Sequence, residues 1–202
     1  EIKGAIDRLK LEKLDGILLH RVQDLGSKAA PQIYEAMQHA KQIGLVNKIG
    51  YSVYHPENCD VYFDDFPPDI VQLPANAFDQ RFKNSGWLDK LQNANVDIHI
   101  RSVFLQGLLL MQDIDTPSYF DPWHSLLESW RAHCQVSFNS PIEACLAPFK
   151  ELSAHHKLVV GVQSDAQLNT IIAAMKLPPP TSLPDFSIND VSLIDPSLWS
   201  AK

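Results

Sequence analysis

Short apolar runs alternate along the chain with segments whose apolar positions recur at helical spacing. The first run, residues 14–19, closes in His20 and Arg21. Its length and its helix-like flanks predict a fully buried parallel strand. Residues 48–53, 69–73, 97–102 and 157–162 repeat the pattern and predict four further strands. Between them lie predicted helices. Ile2, Ala5, Ile6 and Leu9 form a short one. Ala29, Ile33, Ala36, Met37 and Ala40 share one face between Ser27, a possible cap, and Gly44, a stop. Pro56 opens a short helix to about residue 66, and Trp87, Leu88 and Leu91 mark another over 85–93. Leu126, Leu127, Trp130 and Cys134 define one over 125–136. Two capping boxes, Ser140 to Glu143 and Ser164 to Gln167, open the last two, with Pro148 kinking the first.

Strands that alternate with helices read as an α/β fold with a parallel sheet. The expectation is one domain over residues 1–202, with chemistry at the C-terminal strand ends. Residues 105–123 are long for a loop and read as a lid or binding loop. The proline-rich stretch from Pro178 reads as an extended surface tail over 177–202.

Composition narrows the function. The 202 residues are 45% hydrophobic and 20% charged, ordinary for a globular domain with a sizeable core. A formal net charge of −7 offers no basic footprint, so no nucleic acid partner is expected. No apolar run reaches the roughly 20 residues of a membrane span, and the first residues carry no signal-peptide pattern. Cys59, Cys134 and Cys145 are far apart and odd in number, which predicts reduced thiols and a cytoplasmic protein.

The residues alone give few chemical candidates. Neither GxGxxG nor GxxxxGK[ST] occurs. The cysteines lack zinc spacing, and the adjacent His155 and His156 suit a helix end, so no metal is expected. His20 at a strand end is a candidate for orienting a substrate, or else a buried histidine satisfied by its neighbours. Tyr51 and Tyr54 lack an evident lysine partner and make weak candidate acids.

Several stretches, in order, resemble the aldo-keto reductase family. Leu18-Leu19-His20-Arg21 is similar to the family's fourth strand with its active-site histidine. Ile49-Gly50-Tyr51-Ser52 resembles the "IGxSN" strand, with Val53 in place of the asparagine. Val71-Gln72, with Asn76 and Asp79 after it, resembles "xQxxYNxxD". Residues 101–108 resemble "YSPLxxGLL", and residues 160–168 resemble the last strand and its "PGxxxxEQL" helix start. The resemblance runs to about residue 176.

It implies a (β/α)8 TIM barrel, here partial, with strands four to eight. The family's first three strands, which carry its aspartate, tyrosine and lysine, find no counterpart in the sequence. The resemblance further implies an oxidoreductase that reduces a small-molecule carbonyl substrate with NADP or NAD. In this reading His20 is catalytic and orients the carbonyl oxygen. Ser52 and Gln72 hold the nicotinamide carboxamide, as hydroxyl and amide groups can. Arg101 takes the place of an aromatic residue that stacks on the nicotinamide, where a planar guanidinium fits. It would also set positive charge beside a ring that is cationic when oxidised.

Ser102, Phe104 and Gln106 fall in the loop that touches the cofactor pyrophosphate. Gly161, Gln163, Ser164 and Gln167 fall at the start of the last helix, where a 2′-phosphate is received. The uncharged Gln163 stands where the family has lysine or arginine, which leaves NADP and NAD both open. Gln167 is also the capping partner of Ser164. The alternative function is a non-catalytic protein that binds nucleotide or a partner on the same scaffold.

Overall fold

A computed structural model describes residues 2–151 and 155–199. The elements in chain order are α1 (Ile2–Leu9), β1 (Leu14–Leu19), α2 (Ala30–Gln42), β2 (Val46–Ser52), α3 (Pro56–Tyr62) and β3 (Ile70–Pro74). They continue with α4 (Arg81–Asn84), α5 (Trp87–Asn93), β4 (Asp97–Arg101), α6 (His124–Ser137), α7 (Pro141–Leu146), β5 (His156–Leu158), α8 (Asp165–Lys176) and α9 (Val191–Ile194). The five strands form one sheet in the order β1-β2-β3-β4-β5. β1 pairs with β2, and β2 with β3, in parallel. A strictly sequential order has no point at which strand succession reverses. It is the order of a barrel wall rather than of a doubly wound sheet.

The expected strands all form, with two differences. β1 is only partly buried rather than fully so. It stands at one end of the strand order with β2 as its pairing partner, so it lacks a neighbour on each side. The fifth strand covers His156–Leu158 rather than residues 157–162. It stands at the other end of the order, and beyond it the Val159 amide continues the ladder, donating to the Ile100 carbonyl at 2.8 Å.

Two compact units can be distinguished, one comprising residues 1–73, 82–99 and 155–157, the other residues 74–81, 100–154 and 158–202. In the first, Ala40, Val46 and Ile49 are the buried centre of a cluster with Ile17, Tyr34 and Met37 packed against it. Gly50 is required there for a steric reason. A Cβ at Gly50 would lie 1.8 Å from the Ile70 carbonyl oxygen of the adjoining strand. Ion pairs gather at the N-terminal ends of the strands. Lys41 Nζ donates to both Asp69 oxygens at 2.8 and 2.7 Å, and the Ile49 amide adds a bond of 2.9 Å to Oδ2. Asp97, nearly buried at the start of β4, pairs with Lys48 and lies 3.5 Å from His155 Nδ1. Burial alone would raise the Asp97 pKa, but the Lys48 ammonium, His155 and Lys157 together hold it below the ordinary carboxylate value. The same hydrogen bond to Asp97, against the cost of burial, raises Lys48.

The second unit is built on Phe78, Leu105, Leu108, Leu109, Leu127, Trp130 and Cys145. The Phe78 and Trp130 rings meet edge to face at 5.8 Å. The stretch 105–123 is not structureless, since 3₁₀ turns occupy Leu105–Leu110, Asp113–Asp115 and Ser118–Trp123. The tail differs from a surface strand as well. Leu193 and Ile194 of α9 are fully buried in this unit's core, with Phe186, Ile188 and Trp199 packed against it. Tyr119 donates its hydroxyl to the Ser192 carbonyl at 2.9 Å, and Trp123 Nε1 donates to Asp190 Oδ2 at 3.0 Å. Five apolar side chains spread among the prolines bury enough surface to dock the segment. The part of the expected tail from residue 200 onward lies outside the described residues.

Candidate functional site

Within the first unit, parallel pairing brings strand ends into line. The register sets Leu19 beside Tyr51 and Ser52 beside Gln72. His20, Ser52 and Gln72 therefore follow one another across the C-terminal ends of β1, β2 and β3. Ser52 is buried, and its hydroxyl donates to Gln72 Oε1 at 3.2 Å. The Val53 amide donates to the Gln72 carbonyl at 2.8 Å, which carries the register one residue past β2. With Oε1 engaged, the amide nitrogen of Gln72 keeps its donor capacity for a ligand carbonyl. His20 is exposed. Tyr51, the neighbouring candidate acid, has its hydroxyl buried without a hydrogen-bond partner among the described residues. Burial, chiefly, pushes its pKa far above the ordinary phenol value, which removes it as a proton donor.

Within the second unit, the segment after β4 has an unusual backbone. Ser102, Leu105 and Gln106 all have positive φ, at 62°, 45° and 53°, and Gly107 follows at 91°. Left-handed conformations at non-glycine residues cost free energy and persist only where the surroundings fix them. The surroundings here are identifiable. Leu105 is fully buried, and Asn76 Nδ2 donates to the Ser102 carbonyl at 3.1 Å. Asn76 is itself held, its Oδ1 accepting from the Phe78 and Asp79 amides at 2.9 Å each. The fully buried Asp79 is gripped by Arg81, Nε to Oδ1 and Nη2 to Oδ2, both 2.8 Å. Sequence reading quoted Asn76 and Asp79 as a pattern but gave them no task, and it passed over Arg81. An i to i+2 spacing of opposite charges was the one available signal.

Arg101 is half-buried, with Nη1 3.3 Å from Ser102 Oγ. Phe104 packs against the core of this unit, whereas Gln106 is exposed. Ser164 caps α8, its Oγ accepting from the Gln167 amide at 3.3 Å. Gln167 Oε1 accepts from the Gln163 amide at 2.7 Å, completing a reciprocal cap one residue earlier than the usual box. Gly161, Gln163, Ser164 and Gln167 are all exposed. Asp165 lies in the first turn of α8, where its carboxylate complements the helix dipole and opposes a second anion.

The predicted residues thus fall into two groups. His20, Ser52 and Gln72 share the first unit, and the remaining eight share the second. In the first unit, an amide and a hydroxyl are groups that can pair with a carboxamide. In the second unit, backbone amides in a strained turn and at a helix start are groups that can receive a phosphate. Among the described residues no cluster of three or more metal-ligating side chains occurs. No described helix is long and apolar enough to cross a membrane.

No curated protein matches the chain. Among solved structures, the apo form of an aldo-keto reductase from Bacillus halodurans superposes with a TM-score of 0.71 at 20% identity, covering 90% of this chain and 62% of that one. An aldose reductase from Giardia lamblia superposes with a TM-score of 0.61 at 15% identity, covering 91% and 62%. The chain therefore spans about three-fifths of the length of these structures. At such identities the likeness shows the fold, part of a (β/α)8 barrel. The aldo/keto reductase family pattern itself matches residues 1–184, and the chain belongs to that family.

Proposed function

We propose that the chain is the nucleotide-binding and substrate-orienting part of an NAD(P)H-dependent carbonyl reductase. The observation that supports this best is the alignment of His20, Ser52 and Gln72 on successive strand ends, with Ser52 and Gln72 hydrogen-bonded, in a chain of this family. A reduced nicotinamide, when bound, supplies the hydride that a carbonyl carbon accepts. The tasks of this chain's residues are binding and orientation. Ser52 holds Gln72, and the Gln72 amide nitrogen donates to the carboxamide. An imidazole N–H of His20 donates to the substrate oxygen and polarises it. In the second unit, Arg101 offers a planar cation and the turn at 102–107 offers backbone amides, groups that suit a nicotinamide ring and a pyrophosphate.

At the other end of the nucleotide, the neutral Gln163 and the acidic Asp165 give no charge preference for a 2′-phosphate. NADH is accordingly bound at least as well as NADPH. The family's proton-donating tyrosine, with its lysine and aspartate, finds no match at these strand ends. Reduction therefore requires those groups in addition to this chain's residues.

Fluorescence titration with NADH and NADPH tests the reading. Saturable binding is expected, weakened about tenfold by Gln72→Ala, the loss of one well-placed hydrogen bond in a shielded site. Absence of saturable binding to the protein, with its full natural chain, would overturn it. Binding without turnover of any aldehyde or ketone would favour the non-catalytic alternative.

A further inference from the structure

A cavity of about 450 Å³ lies in the second unit, and none of the candidate cofactor residues lines it. Its walls are residues 109–113, α6 around Trp130 to Gln135, and the turn 138–141. The size is within the range of small-molecule sites.

The walls are held in place by α6. Trp130 Nε1 donates to the Leu109 carbonyl at 3.0 Å. Arg131 donates from Nε to the Met111 carbonyl at 3.2 Å, from Nη1 to Asp113 at 2.9 Å and from Nη2 to Thr116 Oγ1 at 2.6 Å. The cavity is thus framed by α6 side chains already committed to the backbone and side chains of residues 109–116. Its apolar lining comes from Leu109, Trp130, Phe138 and their neighbours. Gln112 and Gln135 also line it, and their side-chain amides make no hydrogen bond with the described residues.

We propose that this cavity is a binding site for a small, uncharged aromatic molecule carrying a hydrogen-bonding group at one end. The apolar lining takes the ring body, and the two amides, each both donor and acceptor, take the polar end. Charge selects against an anion. Among the described lining residues the one cation is Arg131, and it is paired with Asp113, so an incoming carboxylate or sulfonate meets a carboxylate beside the guanidinium. This assignment does not depend on nicotinamide binding, because none of the residues proposed to hold the cofactor lines the cavity.

The test uses N-phenyl-1-naphthylamine, a neutral diarylamine whose fluorescence rises in apolar surroundings, and its sulfonated analogue 1-anilinonaphthalene-8-sulfonate. For a ligand of this size a dissociation constant on the order of 100 μM is expected. The sulfonate should bind about tenfold more weakly or not at all. Gln135→Trp, an exposed α6 position at the cavity, should abolish the neutral probe's saturable signal. Val136→Trp, the adjacent residue at 87% exposure and outside the lining, should leave it unchanged. Equal thermal melting of the two variants shows that neither has unfolded. No saturable signal from the native protein, equal binding by both variants, or tighter binding of the sulfonate would each overturn the proposal.

Discussion

Ser52 and Gln72 face each other across the β2–β3 pairing, the serine hydroxyl donating to the glutamine carbonyl oxygen at 3.2 Å. The bond fixes which end of the amide points away from the sheet. Ser52→Ala should therefore weaken NADH binding through Gln72, not by loss of a direct contact alone. In a double-mutant cycle with Gln72→Ala the two losses should be sub-additive by about 0.5–1.5 kcal/mol, as for residues in one network. Strict additivity in the titrations would show that the two act separately.

Gly50 has no room for a side chain. Since a Cβ would meet the Ile70 carbonyl at 1.8 Å, Gly50→Ala must push β2 and β3 apart. Urea denaturation should report a loss of about 3 kcal/mol or more, in the range of overpacking and lost ladder bonds together. Gly44→Ala makes a useful contrast. Its φ is +75° but nothing lies within 4 Å, so its cost should be confined to backbone strain of about 1 kcal/mol.

Asp97 predicts an acid-side loss of stability. Its folded pKa lies below the ordinary value, so the ionised form is favoured by folding. The contribution is present above the unfolded value near 4 and is lost as pH falls through the lower folded value. Asp97→Asn should cost about 1–2 kcal/mol at pH 7, since the pair is only partly shielded. The gap between native and variant should close in urea titrations repeated below about pH 4. The raised Lys48 adds a contribution of the opposite kind, present at neutral pH and lost as pH rises through its elevated value.

The thiols should be silent in the native protein. Burial pushes Cys59 up to about 12 and Cys134 to about 11, and Cys145 well above the ordinary value. An aromatic disulfide reagent at pH 8 should release colour only on addition of denaturant, since the thiolate is the reacting species. Fast reaction of any thiol without denaturant would contradict the buried positions.

At the start of α8, Asp165→Asn should improve NADPH binding relative to NADH by about two- to fivefold, the size of a helix-terminus charge effect. No change in that ratio would place the 2′-phosphate elsewhere.

How much of this was legible beforehand varies by element. The strand runs, and His20 at the end of the first, are local patterns and could be read directly. So could the Ser164 cap, a short-range signal. The partial exposure of β1 depends on which strands flank it, and no property of residues 14–19 states that. The left-handed turn at 102–107 left no trace because Leu105 and Gln106 are not residues that favour φ > 0. Their conformation is imposed by Asn76 and by burial of Leu105, both non-local. Docking of α9 was hidden for a related reason. Leu193 and Ile194 are too few to show a period, and their partners lie some seventy residues away at Tyr119 and beyond.

On the nucleotide-binding reading proposed above, the reciprocal cap of α8 bears on how readily the nucleotide leaves. Gln167 Oε1 already holds the Gln163 amide at 2.7 Å. A phosphate arriving there displaces an existing acceptor instead of adding a bond, and the freed side chain regains its rotamers. When the phosphate departs, the glutamine closes behind it. On that reading the helix start carries its own competitor, a built-in replacement acceptor that keeps the exchange near balance.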